Sequence, residues 1–279
     1  MKNKNISFID SASDRLFKKQ IFNENKYILK VYLLKYAPIL LSFAFLGVIK
    51  GLIFSAIWWL VITLIYDHRD IVLFKPTIRV WFGVPGSGKT SMGAWLANFS
   101  LKNGYKVLSN VEIDNTYKVE ESDLGNYDMS FDGEGCHLIY DEANINGLDN
   151  RGYKDFAKTN KPLYFSIHRH MNNRVDVFSQ GYDIDKRIRD RAGSNSLFYL
   201  KRIPFKGWIM YRTISKVLFI KKDDKQMIDG FEFRGLPRFV RVKSVWNSFD
   251  TLDMSLCPKA QKEWHLWNEN EVEMNVILQ

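Results

Sequence analysis

The run Gly83-Val84-Pro85-Gly86-Ser87-Gly88-Lys89-Thr90 fits the pattern G-x-x-x-x-G-K-[ST] at every fixed position. That pattern does phosphate chemistry. Its glycines let backbone N–H groups curl around an anion, and the N-terminus of a following helix adds positive potential. Lys89 would reach the β- and γ-phosphates, and the Thr90 hydroxyl would hold Mg²⁺. The full contact set read from the motif is Gly83, Pro85, Gly86, Ser87, Gly88, Lys89, Thr90 and Ser91. A chance glycine-rich turn before a helix is the competing reading, and the flanks argue against it.

Hydrolysis needs more than a cradle. A second carboxylate must hold the metal, and a base must orient water. Cys136-His137-Leu138-Ile139-Tyr140-Asp141-Glu142 offers both in order. Asp141 would hold Mg²⁺, through water, and Glu142 would polarise the attacking water. A strand that merely ends in Asp-Glu is the alternative. Gln180, at the end of Val175-Asp176-Val177-Phe178-Ser179, either contacts the γ-phosphate or is an ordinary loop glutamine. The segment Asp183–Arg191 reads as a helix carrying Arg187, Arg189 and Arg191. An arginine there, Arg187 or Arg191, would act as a finger into a neighbouring subunit; a solvated helix laced with salt bridges is the other reading.

These groups need a scaffold. Ile78–Phe82 is short and apolar, so it predicts a buried strand, and Ser91–Phe99 has apolar residues at helical spacing. Further strands are expected over Gly104–Val111, Cys136–Tyr140 and Val175–Ser179. Acids at a strand's C-terminal end lie where ligands bind in an open α/β sheet. The fold class expected is therefore α/β with a mostly parallel sheet, over residues 75–202. Residues 203–279 read as β-rich: Trp208–Tyr211, Val217–Ile220 and Phe239–Val242 are strand candidates, with a hairpin tip at Asp223-Asp224, and Leu197–Leu200 is a strand candidate just before them. Aromatics interleaved with Arg and Lys in this region suit DNA or a headgroup surface, or simply a strand pair with a basic outer face. Trp264–Gln279 is uninformative.

The chain has 279 residues, formal net charge +9 and a pI near 9.3, which suits anionic partners. Its cysteines, Cys136 and Cys257, lack metal-ligand spacing, so a disulfide framework is not expected and a reducing setting is. His168-Arg169-His170 likewise lacks the spacing of a metal site; it either shapes a loop facing the nucleotide or a pore, or is structural. Residues 1–36 are basic. Ala37–Tyr66 is almost wholly apolar, broken only by Lys50 and small residues such as Gly47 and Gly51. One membrane span fits it, and two fit if the first starts near Ile28. A cytoplasmic nucleotide site and a basic N-terminal segment both favour an even number of crossings, hence a hairpin turning near Gly47–Gly51. Lys50 would snorkel at the turn. A single span with the N-terminus outside, and a buried core helix, are the rivals.

On GVPGSGKTSMGAWLA, HLIYDEAN and HRHMNNRVDVFSQGYDIDKRIRDRA, the chain resembles the zonula occludens toxin (Zot)-like family of filamentous-phage assembly ATPases, over roughly Ile78 to Arg202. The resemblance implies an additional-strand, catalytic-glutamate (ASCE-type) P-loop NTPase core that uses ATP and Mg²⁺. It implies a homo-oligomeric ring at the host inner membrane, facing the cytoplasm, with phage coat or assembly proteins, membrane lipid and single-stranded DNA as partners. The expected function is ATP-driven virion assembly and extrusion. A conjugation-like DNA pump and a nucleotide-binding scaffold without turnover are the alternatives. One departure stands out: here the apolar segment precedes the ATPase region, and Lys201–Gln279 contains no run near 20 apolar residues. A toxin-like exported piece is therefore not carried over.

Overall fold

The computed structural model describes residues 3–73, 75–131, 133–143, 148, 159–181, 184–193, 195–220 and 227–245. The apolar N-terminal region forms two helices, α1 (Asn3–Leu46) and α2 (Val48–Ile65). Gly47 separates them with φ 72°, a left-handed conformation that glycine adopts without strain. The helices run antiparallel, tied by Ser42 Oγ–Ser55 Oγ at 3.1 Å and by Trp58 Nε1 donating to Leu34 O at 2.8 Å. A Cβ on Gly51 would lie 3.3 Å from the Phe43 Cα, so the missing side chain lets the backbones approach. By length and composition both are apolar enough to cross a membrane, and Leu40, Phe45, Ile49 and Ile57 point outward. The basic segment and the first apolar arm are one continuous helix. At the hairpin base, Asp67 pairs with Lys35 at 2.5 Å and takes two bonds from Arg69.

A short helix, α3 (Arg69–Val72), leads into an eight-stranded sheet of order β3-β2-β4-β5-β1-β6-β7-β8. Its strands are β1 (Ile78–Phe82), β2 (Lys106–Ser109), β3 (Tyr117–Lys118), β4 (Cys136–Tyr140), β5 (Arg174–Ser179), β6 (Leu197–Arg202), β7 (Trp208–Ile220) and β8 (Met227–Arg241). Pairing is parallel from β3 through β6 and antiparallel from β6 to β8. β5 lies between β1 and β4, so an additional strand separates the phosphate-loop strand from the acid-bearing strand. This is the α/β, mostly parallel P-loop architecture expected from the sequence.

All positions of β1, β4 and β5 are buried because both sheet faces are covered. On one face α4 (Lys89–Lys102) packs Met92, Leu96 and Ala97 among Trp81, Phe178 and Phe198. Trp81 stacks on Phe198 with ring centroids 4.3 Å apart. On the other face, α5 (Lys161–Ile167) and α6 (Lys186–Arg191) bring Tyr164, Phe165 and Ile188 against Ile78, Val80 and Phe82.

A charged cluster is sealed between the sheet and α3. Asp176 accepts from Arg79 at 2.7 and 2.6 Å, from Trp81 Nε1 at 2.7 Å and from Arg174 Nε at 3.1 Å. His137 Nε2 lies 2.5 Å from it. Arg79 and Arg174 also donate to Ile71 O, at 2.7 and 2.6 Å. The network satisfies the end of α3 and pins it to β1 and β5.

Three element expectations change. The helix expected over Asp183–Arg191 begins at Lys186, because the Asp185 carboxylate caps it by accepting from Arg187 N at 2.8 Å. The separate strands Trp208–Tyr211 and Val217–Ile220 are one strand: Thr213, Ser215 and Lys216 pair in regular register with β8, and only Arg212 falls in a register shift. The candidate Phe239–Val242 is strand from Phe239 to Arg241, as the end of the longer β8, and Val242 lies beyond it. The Asp223-Asp224 tip, Asp183, Asn144, Cys257 and the tail 264–279 lie outside the described residues.

Candidate nucleotide site

The glycine loop leaves β1 and enters α4, as the motif requires. Gly86 and Gly88 have φ 75° and 93°, both left-handed. A Cβ on Gly88 would also come 2.5 Å from Ile209 Cδ1, and one on Gly83 would come 2.3 Å from Ser87 Oγ. Val84, Pro85 and Gly86 are exposed at the rim, while Ser87 is buried with its hydroxyl unpartnered. Lys89 is buried and folds back to donate to Gly83 O at 3.1 Å and Val84 O at 3.4 Å. Burial lowers its pKa, and the charges of Asp141 and Glu142 work against that shift. Ser91 sits in the first turn of α4, half-buried.

The acid pair meets this loop. Thr90 Oγ1 donates to Asp141 Oδ2 at 2.7 Å across the gap between α4 and β4. Burial raises the Asp141 pKa, and the Thr90 hydrogen bond, the Glu142 amide and the Lys89 charge lower it again only in part. Glu142 has φ 50°, a left-handed conformation that is uncommon for a side-chain-bearing residue and turns the chain sharply off the strand tip. Gln180 Nε2 donates to Glu142 Oε1 at 3.0 Å, so the neighbouring tip of β5 holds the carboxylate. These hard oxygens, a hydroxyl and a carboxylate in contact, suit Mg²⁺. The left-handed glycines and the unpartnered Ser87 hydroxyl suit an anion in the loop.

Asn110 carries no role in the sequence reading. It follows β2, where its side chain brackets the Asp141 backbone: Nδ2 donates to Asp141 O at 2.9 Å, and Oδ1 accepts from Asp141 N at 2.7 Å. A polar residue at the tip of a strand next to the acid-bearing strand was its available signal.

Two other predicted groups remain. Arg187 and Arg191 lie on α6, partly exposed, with Arg187 Nε 4.0 Å from Asp185 Oδ1 and Arg191 Nη1 donating to Arg187 O at 3.3 Å. Among the described residues Arg191 makes no hydrogen bond to the loop or the acids. His168 is buried after α5, with Nδ1 2.9 Å from Phe165 O. It precedes β5, whose rise of six residues puts it about 20 Å from Gln180. The reading in which His168-Arg169-His170 shapes a loop facing the nucleotide is therefore corrected: the cluster belongs to the opposite end of the strands. Burial lowers the His168 pKa, and no cluster of three or more His, Cys, Asp and Glu side chains that could hold a metal occurs among the described residues.

No family model matches the chain, and no curated protein does. Among solved structures it is similar to the N-terminal domain of zonular occludens toxin from Neisseria meningitidis, at 20% identity and TM-score 0.38, covering 63% of this chain and all 100% of that one. It is also similar to the DNA-packaging ATPase B204 from Sulfolobus Turreted Icosahedral Virus, at 11% identity and TM-score 0.36, covering 58% of this chain and 99% of that one. The genome packaging NTPase B204 from Sulfolobus turreted icosahedral virus 2, in complex with ATP-gammaS, aligns at 12% identity and TM-score 0.34, covering 55% of this chain and 96% of that one.

Proposed function

We propose that this chain is a membrane-anchored ATPase that hydrolyses ATP to drive assembly and extrusion of a filamentous phage from the host inner membrane. One observation carries the enzymatic part: at a single edge of the sheet, Thr90 touches Asp141 while Gln180 holds Glu142. A protein that only binds nucleotide has no use for a base fixed by a neighbouring strand.

Each residue has a task in this reading. The backbone of Gly83–Gly88 and the N-terminus of α4 wrap the phosphates. The Lys89 ammonium exchanges its carbonyl partners for the β- and γ-phosphate oxygens. Thr90 and Asp141 would hold Mg²⁺, which supplies neutralisation of charge on those oxygens. Glu142 takes a proton from the attacking water as its oxygen bonds the γ-phosphorus, and the bridging β–γ bond breaks to release ADP. Gln180 keeps the Glu142 carboxylate aimed and reports loss of the γ-phosphate. Arg187 or Arg191 reaches a neighbouring subunit's site in a ring.

The membrane part rests on the two long apolar helices and their outward apolar side chains. The phage part rests on the motif order quoted from the sequence. Under this reading, coat proteins and single-stranded DNA are the cargo and lipid is the surrounding medium. The test is phosphate release from the full chain in vesicles. Lys89→Ala should abolish turnover while staying membrane-inserted. Glu142→Gln should retain ATP binding and hydrolyse it at least a hundredfold more slowly, within the range expected for a lost general base. Undiminished turnover in Lys89→Ala rejects the enzymatic reading.

A further inference from the structure

The turn joining β6 to β7 has an outward face that the nucleotide site does not use. Phe205 is 71% exposed there, an aromatic ring in the turn Ile203-Pro204-Phe205-Lys206-Gly207. Beside it opens an apolar cavity of about 270 Å³ lined by Ile65, Ile203, Phe205, Trp208 and Phe239. Ile65 is the last residue of α2, so the cavity is continuous with the apolar arm that ends there. Lys201, Arg202 and Lys206 flank the turn in sequence and are exposed. Lys243 is a fourth exposed basic residue at this place, since a Cβ on Gly207 would lie 2.9 Å from its own Cβ. From Leu197 to Ser215 the chain contains no acidic residue.

We propose that this turn is a second membrane contact, which seats Phe205 in the bilayer interface and takes an anionic phospholipid. The proposal rests on the reading that the α1–α2 hairpin enters the bilayer. An exposed aromatic ring with exposed basic residues near it is the chemistry that a headgroup layer of negative charge selects. The cavity gives an acyl segment a dry wall next to the hairpin, and the basic side chains meet the phosphate above it. A neighbouring copy of the chain would want complementary acids or a flat apolar face; the turn offers a protruding ring and positive charge.

The full chain carrying Phe205→Cys in a Cys257→Ser background, labelled with an environment-sensitive fluorophore, tests this in vesicles. Two compositions are compared: phosphatidylcholine alone, and phosphatidylcholine with phosphatidylglycerol. The expected result is blue-shifted emission quenched by lipids spin-labelled near the headgroup, stronger with phosphatidylglycerol. Removing two charges with Lys201→Gln and Lys206→Gln should weaken the phosphatidylglycerol dependence roughly five-fold per lysine. Water-like emission without quenching in both compositions overturns the proposal. So does quenching indifferent to composition, and so does a blue shift that lipid quenchers leave untouched, which would mark a second copy of the chain. A label at Ile57→Cys in the same background reports the hairpin separately. Quenching at Ile57 with none at Phe205 rejects the turn alone, whereas none at either rejects the membrane reading itself.

Discussion

Asn110 shows how one side chain can set the candidate acid pair from a neighbouring strand. It satisfies both backbone groups of Asp141, and Asp141 in turn accepts from Thr90 and from the Glu142 amide. The position of the acid pair is therefore fixed from the β2 side by Asn110 and from the β5 side by Gln180. Asn110→Ala would strand a buried N–H and C=O, a loss of about 1–3 kcal/mol per unsatisfied group. The expected outcome is a turnover rate at least tenfold lower with ATP binding close to normal, read by phosphate release beside an equilibrium nucleotide-binding titration. Weakened binding with an unchanged rate would remove Asn110 from the positioning role. That Thr90 would meet Asp141 was legible in the sequence, from the phosphate-loop pattern and the acid-tipped strand that such a loop predicts. Asn110 was not, because an amide that bonds backbone leaves no spacing pattern.

At the scale of elements, β5 does two jobs along its length. Its tip places Gln180, and its middle places Asp176 in the buried cluster that holds α3. Burial would raise the Asp176 pKa, but the Arg79 charge and the His137 contact outweigh it and hold the carboxyl below its usual range. His137 is opposite in sense: burial lowers its pKa, so the neutral ring donates from Nε2 to Asp176 and accepts the Ser100 hydroxyl at Nδ1, 2.7 Å away. The sign follows. Between the ordinary value of 6.5 and the lowered folded value, the unfolded chain binds a proton that the native chain refuses. Stability therefore falls as pH drops below about 6.5. Thermal unfolding of wild type from pH 7.5 to 5 should show this loss, and His137→Gln should flatten the slope while lowering the starting stability. An equal slope in the variant would assign the acid sensitivity elsewhere. The strands around this cluster were readable as apolar runs, and β1, β4 and β5 fell where expected. The cluster itself was not, since Arg79, His137, Arg174 and Asp176 are far apart in sequence and only the sheet register brings them together. The long β7 was read as two strands because Arg212, Thr213, Ser215 and Lys216 interrupt its apolar pattern, yet all but Arg212 pair in register with β8.

For the whole molecule the decisive question is whether the hairpin crosses the bilayer. α2 has 18 residues and so runs about 27 Å, close to the thickness of a hydrocarbon core. Its base is polar and tied down by Lys35, Asp67 and Arg69, while the tip from Phe45 to Ile49 is apolar and exposed, followed by Lys50. A hairpin of that length with its charges at one end and a single lysine at the other fits a full crossing in which Lys50 reaches the far headgroups. Burial pushes the Cys136 thiol up to about 12, so it contributes little background to thiol labelling once Cys257 is replaced by serine. In that background, Lys50→Cys should be modified by an impermeant reagent only from the side opposite the nucleotide site. Tyr127→Cys, 67% exposed on the sheet domain, should be modified only from the side that carries the candidate nucleotide site. If both respond from the nucleotide side, the arms do not traverse the bilayer and the hairpin lies within one leaflet. That outcome would leave the proposed phosphate chemistry intact but remove the hairpin as a route to the far side, and the proposed extrusion would then need its passage from elsewhere.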